Sequence, residues 1–189
     1  MFARFIIIIT ILTYCVSCSK LEVKPDTTGF VEYTIKENSH RSTISRRSFE
    51  GNELRFAAIF DESAQYQIAD NKQGDTNKLY GFSDCNSNHH HDNSARFGWR
   101  WFENQLQIMA YTYVNGKMSF KYITSLDLNK EYEYSLRMNG DKYVFSVNGE
   151  EVEMHRACSD EKASGYYLFP YFGGETKAPH EINIRIREI

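Results

Sequence analysis

The sequence predicts an all-β fold, built as a two-sheet antiparallel sandwich of about ten or more strands. Nearly every periodic segment after residue 28 alternates apolar and polar residues. That period of two marks a strand with one buried and one wet face. Asn115-Gly116, Asn139-Gly140 and Asn148-Gly149 fall between such segments. These dipeptides supply the positive φ that tight hairpins need. No convincing helix of ten or more residues interrupts the pattern. That many strands in one chain bury their apolar faces by stacking as two sheets.

The runs follow in order. Residues 30–36 open the pattern, and residues 54–60, Leu-Arg-Phe-Ala-Ala-Ile-Phe, continue it. Residues 95–101 and 106–113 alternate rings or aliphatics with polar neighbours. Met118, Phe120 and Tyr122 alternate next. Residues 132–138, 143–147 and 152–154 are joined by the second and third Asn-Gly turns, which predicts a three-strand antiparallel meander. The last strands are expected at 166–172 and 182–187.

The N-terminus has the layout of an export signal. Arg4 precedes the apolar run Phe5-Ile6-Ile7-Ile8-Ile9-Thr10-Ile11-Leu12, and small Ser17 stands before Cys18. The run is shorter than the roughly 20 residues a bilayer-spanning helix needs. Cys15-Val16-Ser17-Cys18 resembles a bacterial lipobox, with Cys15 where leucine is usual. The resemblance implies a signal peptide at 1–17, lipid on Cys18 and a polar tether to residue 28. Residues 29–189 are then one β-sandwich domain. The expected location is a bacterial membrane, with the chain anchored on the periplasmic or cell-surface side.

Net charge and cysteines narrow the partners. The chain carries 22 Lys and Arg against 25 Asp and Glu, a net charge of −3. With no basic excess to neutralise phosphates, nucleic acid is not an expected partner. Export leaves Cys85 and Cys158 as an even pair in an oxidising compartment. Their disulfide would contribute on the order of 4 kcal/mol by closing a long loop. Two separate thiols are the alternative.

Two segments resemble a known family. Leu126-Asp127-Leu128, Tyr132-Glu133-Tyr134 and the hairpin from Tyr143 to Val147-Asn148-Gly149 resemble a strand trio of concanavalin A-like jelly rolls. Residues 171–184, Tyr-Phe-Gly-Gly through Ala178-Pro179-His180 to Ile184, resemble the closing part of such domains in exported proteins of Bacteroidetes-type bacteria. The resemblance spans roughly residues 50–189 and implies a concanavalin A-like jelly roll. That fold hosts lectins, glycosidases, lyases and adhesion modules, so function must come from the site.

The densest polar stretch is the 84–93 loop, with Asp84, Asn86, Asn88, three consecutive histidines, Asp92 and Asn93. Its oxygens, from Asp84, Asn86 and Asp92 among others, are candidates for Ca²⁺. Its imidazoles are candidates for a transition metal, and a solvated turn-rich loop is the bland alternative. No other cofactor is expected.

Alternation puts Phe97, Trp99 and Trp101 on one side of their strand, and Arg96 and Arg100 on the other, flanking Gly98. The ring side reads as core. The arginine side reads as a ligand face, with an open spot at Gly98 and forked donors for sugar hydroxyls or carboxylates. Tyr111 and Tyr113 share a face with Met109 and are placed to stack on sugar rings. Gly173-Gly174 allows a turn that brings Tyr171 and Phe172 close to such a ligand.

Catalytic signatures are sparse. The Glu-x-Asp-x-x-Glu string of retaining glycosidases on this fold is absent, as are Gly-x-Ser-x-Gly, His-Glu-x-x-His and phosphate loops. The expected function is therefore binding of a carbohydrate polymer, with Arg96, Arg100, Tyr111, Tyr113, Asp84 and His90 at the ligand. The first alternative is a polysaccharide lyase using His180, Tyr111 and His40. The second is an adhesion lipoprotein that binds another protein.

Overall fold

A computed structural model describes residues 25–189 apart from 43–45 and 70. The signal peptide, Cys18 and most of the tether lie outside the described residues. Twelve strands form two antiparallel sheets: β1 Val31–Ile35, β2 Ser48–Gly51, β3 Glu53–Phe60, β4 Asn77–Ser83, β5 Ser94–Phe102 and β6 Gln105–Val114, then β7 Lys117–Leu126, β8 Tyr132–Asn139, β9 Lys142–Val147, β10 Glu150–His155, β11 Ala163–Leu168 and β12 Ile182–Glu188. The only helical element among the described residues is a 3₁₀ turn at Glu62–Ala64.

The back sheet runs β1-β12-β3-β8-β9-β10, and the front sheet runs β2-β11-β4-β5-β6-β7. The meander β8-β9-β10 forms as the turn residues predict, with Asn148 and Gly149 both at positive φ. The β6–β7 hairpin turns on Asn115-Gly116 in the same way. Residues 166–172 depart from expectation. The strand stops at Leu168, and Tyr171 makes only isolated bridges to Arg41 and Lys78. Pro170 lacks an N–H and cannot continue the ladder.

Rings fill the space between the sheets. Phe56 on β3 stacks on Tyr134 of β8 at 4.8 Å, and Phe97 of β5 meets both edge-on from the opposite sheet. Phe97 and Trp99 are fully buried, as the alternation predicts. This leaves Arg96 and its strand-mates on the outward face of the front sheet.

One corner of the sandwich is pinned twice. Cys85 and Cys158 are bonded, joining the end of β4 to the β10–β11 connection. Beside them Asp84 and Arg156 form an ion pair that is completely buried.

Candidate functional site on the front sheet

The outward face of the front sheet gathers two cations among tyrosines. Arg96 on β5 is 6% exposed and Lys78 on β4 is 8% exposed. Neither has an ion-pair partner among the described residues. Lys78 Nζ donates to the Gly173 carbonyl at 2.8 Å, while Arg96 Nε has no hydrogen-bond partner. Tyr111 faces both charges, its ring centre 5.5 Å from the Arg96 guanidinium carbon and 5.3 Å from Lys78 Nζ. Tyr171 lies 5.9 Å from Lys78 Nζ, and Tyr113 meets Tyr111 at 5.9 Å.

Register explains the convergence. Arg96 stands opposite Tyr111 on one side and Gly81 on the other, and Gly98 stands between Met109 and Lys78. Directly opposed residues share a face. The β4 ladder slips between Lys78 and Gly81, which tightens this corner. A Cβ at Gly81 would sit 2.3 Å from Arg96 Cβ, so only glycine lets Arg96 lie this close to its neighbour strand.

Histidines border the cluster. The His90 N–H donates to the Tyr166 hydroxyl at 3.0 Å, and the His90 ring Nδ1 lies 3.3 Å from the same oxygen. His91 packs on Tyr113 at 4.8 Å. His40 stacks on Tyr171 at 5.1 Å, with its Nδ1 2.9 Å from the Phe172 carbonyl.

Burial sets the electrostatics. It pushes Lys78 down to about 8, helped by the charge of Arg96. It pushes Arg96 down to about 10, leaving the guanidinium charged at neutral pH. It lowers His90 to about 4, again helped by Arg96, so that imidazole is neutral at pH 7. Burial and then Tyr113 raise Tyr111, which keeps its proton. The site thus offers two desolvated cations, a neutral imidazole and the protonated Tyr111 phenol, the complement of an anion with polar edges.

Arg96, Tyr111, Tyr113 and His90 come together here, and His40 joins through Tyr171. Other expected residues go elsewhere. Asp84 is enclosed, and its carboxylate accepts from Arg156 Nε at 2.7 Å, Tyr143 Oη at 2.8 Å and the Cys85 N–H at 2.6 Å. It is a structural anion and not a ligand contact. The oxygen set expected of its loop loses a member with it, and Asn86 and Asp92 are exposed. Among the described residues the one close group of potential metal-binding side chains is Asp84, Cys85 and Cys158, whose sulfurs are bonded to each other.

Arg100 shares the face of Arg96 but is tied down, Nε to Gln107 and Nη1 to the Gly74 carbonyl, each at 2.8 Å. The open spot expected at Gly98 is filled. A Cβ there would lie 2.4 Å from the Thr76 methyl, so the glycine accommodates protein and not ligand. His180 is bound to the Ser63 carbonyl at 2.8 Å, beside the 3₁₀ turn, and no hydrogen bond or ring contact links it to the cluster.

Lys78 and Tyr166 were not expected as site residues. β4 is buried along its whole length, so it lacks the alternation that would single out Lys78. Tyr171 was hinted at by Gly173-Gly174, and Gly173 does supply the carbonyl that holds Lys78.

Solved structures of similar architecture now bear on the fold. The alginate lyase AlyC3 is 10% identical with a TM-score of 0.57, over 87% of this chain and 75% of that one. The fold is a jelly roll. The PL7 alginate lyase AlyA1 from Zobellia galactanivorans is 11% identical with a TM-score of 0.53, over 91% and 83% of the two chains. The polysaccharide lyase family-7 enzyme A1-II′ is 12% identical with a TM-score of 0.51, over 89% and 81%. At these identities the likeness is one of jelly-roll architecture. No protein-family model matches the chain, and no curated protein is significantly similar to it.

Proposed function

We propose that this jelly roll binds an acidic polysaccharide across the outward face of its front sheet. The observation that carries the reading is the pair Lys78 and Arg96, buried without a carboxylate partner and ringed by tyrosines. Burying unpaired charge is unfavourable unless a ligand completes it. A sugar carboxylate would take the two cations, and Tyr111 and Tyr113 would pack on ring faces. Solved alginate lyases of similar fold support a polysaccharide ligand. The test is native electrophoresis through gels cast with acidic and neutral polysaccharides. Retardation in the acidic gels alone, lost in Lys78→Met and Arg96→Met, is expected. Equal mobility in every gel would refute the reading.

A lyase is the second reading, favoured by neutral His90 held against Tyr166 near Arg96. In β-elimination from a uronate, the cations neutralise the carboxylate and acidify the adjacent C–H. His90 would accept that proton, the C–O bond to the leaving sugar would break, and Tyr111 would protonate the departing oxygen. Products are an unsaturated sugar and a new reducing end. Growth of ultraviolet absorbance on mixing with polyuronate, abolished in His90→Ala, would select this reading over binding alone.

The same proposal places the domain outside the cytoplasm, lipidated on Cys18. The Cys85–Cys158 bond supports an oxidising compartment. Membrane fractionation of a Cys18→Ser variant tests the anchor, with release into the soluble fraction expected.

A further inference from the structure

We infer that Phe120 and Tyr122 on β7 form a second, uncharged subsite, a ring platform for sugar units next to the one held by Arg96 and Lys78. This rests on the reading of the front face as an acidic-polysaccharide site.

β7 is the edge strand of the front sheet. Met118, Phe120 and Tyr122 are 48%, 47% and 53% exposed, unusual for side chains of this size. Their exposure has a local cause. In an unbroken strand residues 118, 120, 122, 124 and 126 would share one face. Thr124 pairs with Ile108 and Leu126 with Leu106, both core residues. The register then slips, and Tyr122 pairs with Met109, which belongs to the outward face. The extra residue at this slip, Ile123, turns the rest of the strand over. Three large apolar side chains that would otherwise face the core are thereby aimed outward.

They are aimed at the site. Phe120 stands directly opposite Tyr111, and Tyr111 directly opposite Arg96. At the usual spacing of neighbouring strands, Phe120 lies about 10 Å across the sheet from Arg96. The row is therefore cation, tyrosine, phenylalanine. The Tyr122 hydroxyl is held 3.0 Å from Ser125 Oγ, which donates to Gln105 Oε1 at 2.9 Å. The ring is thus fixed by its polar edge. Lys121 points away and donates to the Glu153 carbonyl at 3.0 Å, so no charge intrudes on the rings from that residue. An exposed phenylalanine ring beside a tyrosine held by its hydroxyl fits a sugar, which presents an apolar C–H face and a polar rim. Continuity with the cationic row makes the occupant the same polymer chain, crossing the strands from β4 toward β7.

The experiment is titration calorimetry with oligomannuronate, oligoguluronate and oligogalacturonate of two and six units, on the wild type and a Phe120→Ala/Tyr122→Ala variant. The wild type is expected to bind six units of at least one series about tenfold more tightly than two. The variant is expected to bind both lengths about equally, with the two-unit affinity unchanged. A variant that keeps the wild-type length dependence overturns the platform and leaves the proposed function standing. A wild type that binds none of the probes overturns both. Light scattering separates the remaining occupant. A wild-type dimer that the double substitution converts to monomer makes the patch a contact between copies and overturns the inference.

Discussion

Two buried charge clusters lie on β4 or its end, and they are built in opposite ways. At Asp84 every formal charge has its complement. Arg156 supplies forked donors, Tyr143 and backbone N–H groups complete the carboxylate, and the disulfide closes the corner. At Lys78, six residues earlier, two cations lie among tyrosines and neither has an ion-pair partner among the described residues. The first arrangement satisfies the folded protein by itself. The second leaves desolvated positive charge that an anionic ligand would complete. Paired buried charge is accounted for by the fold, whereas unpaired buried charge is a candidate for function.

Breaking the paired cluster carries the largest expected effect. Asp84→Ala leaves Arg156 buried without its partner, and a loss of about 3–5 kcal/mol in urea unfolding is expected. A change below about 1 kcal/mol would mean that water reaches this corner and would erase the contrast. The disulfide beside it comes next. The Cys85→Ser/Cys158→Ser pair releases a connection of 73 residues, with an expected loss of about 2–4 kcal/mol. Both variants should keep polysaccharide binding at temperatures where they remain folded, because neither touches the front face.

The same contrast separates what the sequence made legible from what it hid. The sandwich was readable because alternation survives wherever one face is wet, as in β5 and the β8-β9-β10 meander. Arg96, Tyr111 and Tyr113 were readable for the same reason, since they sit on alternating strands. Asp84 misled because a carboxylate in a polar loop looks solvated, and its partner Arg156 is 72 residues away. Lys78 was hidden by a strand buried on both sides. The outward turn of Phe120 was hidden by a one-residue slip that leaves the sequence pattern intact and reverses its meaning. Gly98 shows a further limit: a glycine announces a close approach but not what approaches.

The unpaired cluster should respond with the opposite sign. Replacing Lys78 or Arg96 by methionine removes a buried unpaired charge and keeps apolar volume. An increase in stability of about 1–3 kcal/mol is expected, with loss of acidic-polymer binding. Measuring both quantities on one variant is decisive. A variant that loses stability and binding together would make these cations structural, like Arg156.

The pH dependence of Lys78 tests the comparison without any substitution. Burial and Arg96 hold its ammonium down to about 8, against 10.5 for the free side chain. Below that value the folded protein carries the full unfavourable charge. As pH rises from about 8 toward 10.5 the folded state releases its proton before the unfolded state does. The unfolded state then binds more protons, so this group makes stability rise with pH across that window. Binding of an acidic polymer needs the charged form and should move the other way. Affinity should be nearly flat below neutral pH and about tenfold weaker at pH 9 than at pH 7. Opposite slopes for stability and affinity, both setting in near pH 8 and both abolished in Lys78→Met, would assign them to this lysine. Parallel slopes would mean that an anion already pairs with Lys78 in the free protein, and the distinction between the two clusters would fall.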